Sequence, residues 1–255
     1  MQVPLNDDLV LDSRRALWMP RFGTLVLADF FLGLGASRRK RVELMPSPTQ
    51  FDLWERVFGL LTDHKPRQVV LLGDLKPNQG MVEGDEAEEL RQSFRKLQRG
   101  CERLVQVAGQ PDRLRGPAME GTGIVPVEQH KVGPFTLIHR RRVFVYPRHD
   151  DPHGFWINGG VHPLLVVPNK TPEGGEDWMR LPAFLHTGYA LVMPPFVPYA
   201  QGHEVMQPER LPKQARAWTL LGDRLTATDL ASLPPTPEHL RTITRPVRKK
   251  EGRED

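Results

Sequence analysis

The stretch Leu25-Val-Leu-Ala-Asp-Phe-Phe-Leu-Gly33 decides the fold, because it is an apolar run of strand-forming residues in which one carboxylate, Asp29, stands near the end. The run Val69-Val-Leu-Leu-Gly-Asp-Leu75 repeats this design and carries Asp74. Continuous apolar strands are typical of parallel sheets that are covered on both faces. Open α/β sheets bind ligands outside the carboxyl ends of such strands. The two runs therefore predict two carboxylates that converge on one site at a sheet edge.

Composition indicates a globular protein of 255 residues, with 39% hydrophobic and 26% charged residues. The apolar runs are strand length and are broken by Pro, Gly or charge, which argues against a membrane span. The N-terminus lacks the basic and apolar regions of a signal peptide. Cys101 is the single cysteine, so no internal disulfide can form. These features predict a cytoplasmic protein.

The net charge of +4 is concentrated at one end. Residues 241–255 carry six Lys or Arg and three Asp or Glu, and so account for three of the four net positive charges. The remainder of the chain is close to neutral, which by itself does not indicate a nucleic-acid-binding protein. Two local basic clusters, Arg38-Arg-Lys-Arg41 and Arg140-Arg-Arg142, each follow a candidate site residue.

The predicted elements change character along the chain. Residues 22–108 predict strand, helix, strand, helix, strand, the order of a parallel sheet with crossover helices. Beyond residue 120, short strands separated by turn residues predict a second sheet packed on the first. We expect one domain over 1–233 and a Pro-rich, then basic, disordered tail over 234–255. The predicted strands are 9–18, 22–29, 69–73, 103–108, 123–127, 135–139, 143–146, 155–158, 164–167, 182–186, 189–193 and 216–220, and the predicted helices are 51–61 and about 85–98.

Five motifs, in this order and spacing, resemble those of the calcineurin-like metallophosphoesterases, in particular the bacterial branch known as ligase-associated DNA-damage-response endonucleases. The resemblance covers about residues 9–225. It implies an α/β (α+β) fold, namely a four-layer α/β-β/α sandwich of two mixed sheets with two metals at the sheet rims. The motifs are Ala28-Asp-Phe-Phe-Leu-Gly33, Gly73-Asp-Leu75, Gly109-Gln-Pro-Asp112, His139 and Gly159-Gly-Val-His-Pro163.

The resemblance also implies the metal ligands. In this family two divalent ions activate a water molecule and neutralise charge on a phosphoryl group, and a histidine protonates the leaving oxygen. Four residues of this chain match ligand positions of the family and are the candidate metal ligands: Asp29, Asp74, His139 and His162. Asp112 also matches, although an aspartate in such a loop more often bonds backbone amides.

Three departures from the family pattern remove ligands. Phe31 and Gly160 stand where the family has histidines, and Gln110-Pro111 replaces an Asn-His pair. Phenylalanine and proline offer no lone pair to a metal. Gln110 is a candidate ligand, but its extra methylene displaces the carbonyl and its neighbour is a rigid proline. We therefore expect at most one weakly bound divalent ion, Mn²⁺ or similar, and no full two-metal centre.

These departures leave three functional hypotheses open. The first is a catalytically impaired phosphoesterase homologue that binds nucleic acid or nucleotide phosphate in DNA repair, with no residue assigned to catalysis. The second is an active phosphodiesterase or nuclease with a remodelled, single-metal centre. The third is a scaffold for another repair protein. Arginine forks suit phosphate, and the candidate phosphate contacts are Arg38, Arg39, Arg140 and Arg141.

Other polar clusters carry weaker hypotheses. The segment His149-Asp-Asp-Pro-His153 has residue types that bind metals and is an alternative, compensating site. The remaining histidines have no motif context and are expected to be structural or exposed. They are His64, His130, His186, His203 and His239.

Overall fold

The structure, a computed structural model, describes residues 1–30, 50–75, 85–108, 122–140, 153–170, 176–197 and 204–241. The first half contains β1 (Gln2–Pro4), β2 (Val10–Asp12), β3 (Ala16–Met19), β4 (Thr24–Ala28), α1 (Gln50–His64), β5 (Gln68–Leu72), α2 (Asp85–Gln98) and β6 (Arg103–Val107). The second half contains β7 (Gln129–Val132), β8 (Phe135–His139), β9 (Phe155–Gly159), β10 (Pro163–Lys170), β11 (Glu176–His186), β12 (Ala190–Val192), β13 (Glu204–Val205), β14 (Arg216–Leu221) and β15 (Arg224–Thr228). Short 3-10 turns cover Pro20–Phe22, Pro208–Arg210 and Glu238–Leu240.

The first sheet has six strands in the order β1-β2-β3-β4-β5-β6. Its first four strands are antiparallel, whereas β4, β5 and β6 run parallel. Successive side chains of a strand point to opposite faces. Leu25 and Leu27 accordingly pack under α1 and α2, while Val26 and Ala28 face the second sheet. Both faces of β4 are buried, as its continuous apolar sequence predicts.

The second sheet has nine strands. Its main path is β13-β10-β11-β12-β9-β8-β7, and β14 pairs with both β11 and β15. The strands β8, β9 and β12 are parallel to one another, whereas the pairs β7–β8, β10–β11, β11–β12, β11–β14 and β14–β15 are antiparallel. Both sheets are therefore mixed.

The layers confirm two mixed sheets packed face to face, with the described helices on the outer face of the first sheet. Phe184 and Trp218 face the first sheet, and their neighbours Leu185 and Ala217 face outward. That outward face packs against Leu211, which follows the 3-10 turn Pro208–Arg210, and against Leu230 and Leu233, which follow β15. Within the described ranges both α-helices lie on the first sheet, so loops rather than helices cover the second. Neither helix is long and apolar enough to cross a membrane.

Several predicted element bounds were wrong. Residues 9–18 form a hairpin of β2 and β3 rather than one strand, because the chain turns at Arg15, whose φ is +66°. The segment 123–127 makes only an isolated bridge through Val127 in its described part. The prediction for 143–146 lies outside the described residues. The strands β1, β7, β13 and β15 were not predicted, and β11 is longer than the predicted 182–186.

The hairpin turn is fastened to α1 through the buried carboxylate of Asp12. The Arg14 guanidinium donates to both Asp12 oxygens, at 2.8 and 2.6 Å, and His64 Nε2 lies 3.0 Å from Oδ2. Burial raises the pKa of Asp12, but the bonds from Arg14 and His64 outweigh it and hold the pKa well below its usual range. His64, which also stacks on Trp18, is therefore structural.

Candidate metal centre

The four candidate ligands lie at the carboxyl ends of parallel strands in both sheets. Asp29 directly follows β4 and Asp74 follows β5, while His139 ends β8 and His162 follows β9. Since β4 and β5 are parallel in one sheet and β8 and β9 are parallel in the other, these ends form one rim of the sandwich. The prediction that Asp29 and Asp74 converge is confirmed, and the sandwich brings His139 to the same place.

The Asp29 carboxylate is fully buried and has four nitrogen neighbours. His139 Nε2 lies 2.7 Å from Oδ1, and His162 Nε2 lies 2.9 Å from Oδ2. The backbone N–H of Asp74 donates to Oδ1 at 3.1 Å, and that of Gly160 donates to Oδ2 at 3.0 Å. An ionised carboxylate offers about four lone-pair sites. Three of these contacts, from His139 and the two backbone N–H groups, are hydrogen bonds, and the contact of His162 Nε2 is a close ion-pair contact.

These neighbours keep Asp29 ionised. Burial by itself raises the pKa of the Asp29 carboxyl, because the charged form loses its hydration. The charges and hydrogen bonds of His162 and His139 act in the opposite direction and are stronger. The pKa of Asp29 therefore lies well below its usual range, so this carboxylate is ionised at neutral pH.

Glycines surround the His139 imidazole closely. A Cβ added to Gly73 would lie 2.0 Å from His139 Cδ2, and one added to Gly160 would lie 2.7 Å from His139 Nε2. Both glycines have positive φ angles, +101° and +82°. Asp29 and His162 adopt the same left-handed region without being glycine, with φ of +49° and +52°. Backbone strain of this kind clusters at functional sites.

Asn158, which the sequence reasoning missed, fixes the segment after β8. Its Oδ1 accepts the N–H of Arg140 at 2.9 Å, and its Nδ2 donates to the Arg140 carbonyl at 3.2 Å. The side chain is fully buried in β9. A buried asparagine directly before Gly159-Gly160 was the available sequence signal, because a polar residue inside an apolar strand requires a partner. Asn158 thereby positions His139 next to it in the sheet.

A short segment, Met193–Val197, joins the two sheets beside the rim. The N–H of Met193 donates to the Asn158 carbonyl at 2.9 Å, and the N–H of Phe196 donates to the Ala28 carbonyl at 2.7 Å. The ring of Phe196 stacks on Phe30 at 5.1 Å. We call Met193–Val197 the inter-sheet strap. It is bonded to the residue before Asp29 and to Asn158.

Two arginines hold the carbonyls of this strap. Arg15 Nη1 donates to the Pro195 carbonyl at 3.3 Å, and Arg56 Nη1 donates to the Phe196 carbonyl at 3.1 Å. Burial and the nearby Arg56 lower the pKa of Arg15 to about 10. Arg15 remains charged at neutral pH, so its bond to the strap is charge-assisted.

Three of the candidate ligands form a group that fits one divalent ion. One donor atom each of Asp29, Asp74 and His139 lies within 4.8 Å of the others. Two carboxylates and an imidazole are donors that Mn²⁺, Zn²⁺ and similar ions accept. His162 contacts Asp29 but is not part of this group. The chemistry of the donor set is therefore consistent with a single divalent metal.

The other predicted site residues are placed only in part. Arg140 follows His139, and its Nη1 donates to the His139 carbonyl at 3.2 Å. His153 is the one described member of the alternative His149–His153 cluster. The remaining candidates, and the replacements Phe31 and Pro111, lie outside the described residues; these candidates are Arg38, Arg39, Gln110, Asp112 and Arg141.

Comparison with known proteins adds one informative likeness. The crystal structure of the Pseudomonas putida nuclease MPE matches with a TM-score of 0.65, over 89% of this chain and 99% of that chain, at 20% sequence identity. This chain has the fold of that nuclease. No family model and no curated protein matches the sequence. The nuclease fold supports the predicted phosphoesterase-like architecture, whereas membership of the metallophosphoesterase family stays a prediction.

Proposed function

We propose that this chain binds nucleic-acid phosphate at the rim, holds at most one divalent ion there, and hydrolyses phosphodiesters poorly or not at all. The observation that carries the proposal is the set of four nitrogen neighbours around the carboxylate of Asp29. An ion bound by both Asp29 Oδ1 and His139 Nε2 must displace the contact between these two atoms. In particular, His139 Nε2 faces Asp29 Oδ1. To bind a metal through this nitrogen, His139 would have to direct the Nε2 lone pair at the ion instead.

Two positions at which the resembled pattern has histidine ligands carry no donor side chain in this chain. A two-metal centre holds its ions about 3.5–4 Å apart and needs ligands for both. Position 160 carries no side chain, and a side chain there would collide with His139. Position 31 is phenylalanine, which has no donor atom. Both features support the loss of the second ion.

Nucleic-acid binding is supported by Arg140, which directly follows His139, by the basic clusters of the sequence, and by the fold. A single ion at Asp29, Asp74 and His139 would neutralise part of the charge of a bound phosphate. Arg140, next to His139, and the predicted contacts Arg38, Arg39 and Arg141 would supply charge-assisted hydrogen bonds to phosphate oxygens. The protein of similar structure is a nuclease, which acts on nucleic acid.

The test combines metal titration, nucleic-acid binding and cleavage. Calorimetry of metal-stripped protein with Mn²⁺ is expected to give no site or one weak site. Binding of labelled single- and double-stranded DNA and RNA is expected to weaken steeply between about 50 and 200 mM salt, since phosphate contacts release counterions. Cleavage is expected to be no faster than with the Asp74→Asn variant. Two tight Mn²⁺ sites that Asp74→Asn abolishes would refute impaired catalysis.

The second candidate function is an active, single-metal phosphodiesterase or nuclease. The convergence of Asp29, Asp74 and His139 and the nuclease fold favour it. Under this alternative Asp74 is indispensable, and an Asp74→Asn variant with full cleavage activity would exclude it. Binding that is insensitive to salt would instead favour a protein partner. The link to DNA repair, a repair-protein partner and a cytoplasmic location are further parts of the proposal that rest on the sequence.

A further inference from the structure

A second cleft lies at the end of the sandwich opposite the Asp29 rim. Its volume is about 370 Å³, near the lower end of the roughly 300–1,000 Å³ that ligand pockets occupy. The cleft opens where β11 ends and β14 begins, against the end of β1 from the first sheet. Its lining includes Leu5, His186, Gly188, Gln214, Arg216 and Trp218.

Strand register places the polar lining on one face. His186 is the direct cross-strand partner of Arg216, and Phe184 is the partner of Trp218. Alternate residues of a strand share a face, so Arg216 and Trp218 point to the same side. Trp218 and Phe184 belong to the core between the two sheets. The cleft is therefore the open mouth of the space between the sheets.

Two polar side chains at this mouth, His186 and Arg216, present hydrogen-bond donors, and a third, Gln214, carries both a donor and an acceptor. His186 Nδ1 accepts the N–H of Gly188 at 3.2 Å, so in the neutral ring the proton resides on Nε2, which becomes a donor. Burial and the charge of Arg216 lower the pKa of His186, which favours this neutral ring. Arg216 is exposed, and within the described ranges its guanidinium makes no salt bridge. A guanidinium offers donors and no acceptor.

The remaining wall is apolar and has a fixed shape. Trp218 and Leu5 supply flat and aliphatic surface. Gly188 packs directly on the stem of Gln214, since an added Cβ would lie 2.8 Å from Gln214 Cγ. The φ of Gly188 is +95°, which also requires glycine. The cleft therefore combines a cationic, donor-rich edge with an aromatic wall that is formed before any ligand arrives.

We propose that this cleft binds a small anion that carries a flat ring, with the anionic group on Arg216 and His186 Nε2 and the ring against Trp218. A phosphate and a carboxylate present the same oxygen acceptors to these donors. The site is separate from the Asp29 rim and does not depend on the function proposed for that rim.

Calorimetry of the full chain in EDTA, which removes metal from the rim, tests the site with three probes: adenosine 5′-monophosphate, benzoate and uncharged adenosine. At least one of the anions is expected to bind at least about tenfold more tightly than adenosine, because adenosine cannot accept the charge-assisted hydrogen bonds that the anion accepts. Tighter binding of the monophosphate identifies a phosphate ligand, and tighter binding of benzoate identifies a carboxylate.

Matched variants locate the binding. Arg216→Ala is expected to weaken binding of the preferred anion about tenfold or more, whereas Arg224→Ala, which removes an exposed cation of the neighbouring strand outside the cleft, leaves it unchanged. Thermal melting of both variants confirms that they fold. The proposal is overturned if neither anion binds at concentrations up to about 10 mM, if adenosine binds as tightly as the anions, or if the two variants behave alike.

Discussion

The imidazole Nε2 of His139 lies 2.7 Å from Oδ1 of Asp29, although 110 residues separate them in the chain. This contact joins the two sheets at the rim and leaves no room for a side chain at position 160, where the pattern that the motifs resemble has a histidine. Introducing a histidine at position 160 would therefore require His139 to move.

Substitution of Gly160 tests this crowding. Gly160→Ala places a Cβ 2.7 Å from His139 Nε2 at a φ of +82°, so it combines backbone strain with overpacking. Gly222→Ala is the matched control, because its φ is +58° and nothing lies within 4 Å of the added Cβ. We expect Gly160→Ala to lower the free energy of unfolding by at least about 1 kcal/mol more than the control. If urea denaturation gave the same loss of unfolding free energy for both variants, the His139 ring would be able to move aside at no cost.

Asp12 predicts a pH dependence of stability. Its pKa is held below the value of about 3.9 that it has in the unfolded chain. Its contribution is therefore fully present above about pH 4 and is lost as the pH falls through the lower folded-state pKa. The difference in unfolding free energy between the natural protein and Asp12→Asn should narrow from pH 6 to pH 3. For Asp7→Asn, which removes an exposed carboxylate, a difference below about 0.5 kcal/mol is expected throughout. A difference for Asp12→Asn that is constant with pH would contradict this assignment.

Gln106 is a buried amide whose removal should stabilise the protein. The side chain is fully buried in β6, and neither its Oε1 nor its Nε2 has a hydrogen-bond partner in the part of the chain that the structure describes. Such a group costs about 1–3 kcal/mol. Gln106→Leu is expected to raise the unfolding free energy by about that amount. Gln98→Leu, which removes the 2.8 Å bond to the Thr122 carbonyl, is expected not to stabilise. Stabilisation by both would indicate a general gain from apolar residues.

Asn158 should be needed to position His139. Asn158→Ala leaves the N–H and carbonyl of Arg140 without the bonds that Asn158 makes to them. We expect a loss of about 1–3 kcal/mol of unfolding free energy, together with a shift of the His139 imidazole resonances. Asn169→Ala in β10 serves as control and should change neither quantity. Lost stability with unchanged His139 resonances would make Asn158 structural only.

Local sequence patterns were sufficient to predict the helices and strands in which the pattern of apolar residues is unbroken. The helix predicted at about 85–98 is observed at Asp85–Gln98, and Asp29 and Asp74 stand at strand ends as their apolar runs indicate. The turn at Arg15 was missed, because arginine is not a residue type that marks left-handed turns. Its backbone N–H donates to the Asp12 carbonyl and its side chain donates to the strap, and the local sequence does not reveal the second contact.

The part of the site that could not be predicted consists of contacts between sheets. The family pattern singled out His139 and His162 as metal ligands, yet their shared partner is the Asp29 carboxylate. These contacts depend on how the two sheets are aligned when they pack, and the sequence of a single strand does not specify that alignment. Asn158 was missed for a different reason, since its bonds to Arg140 depend on the pairing of β8 with β9 within the second sheet.

The inter-sheet strap has a consequence for how the rim opens. The strap is hydrogen-bonded through Met193 to Asn158 of the second sheet and through Phe196 to Ala28 of the first. It therefore links the two sheets beside the rim. Binding loops commonly open by local fluctuations that cost little free energy. Here, exposure of the Gly160 N–H, which follows a strand of the second sheet and donates to Asp29 of the first, requires the sheets to separate. Amide hydrogen exchange at Gly160 would then report global unfolding, and a ligand would meet a preformed Asp29 carboxylate.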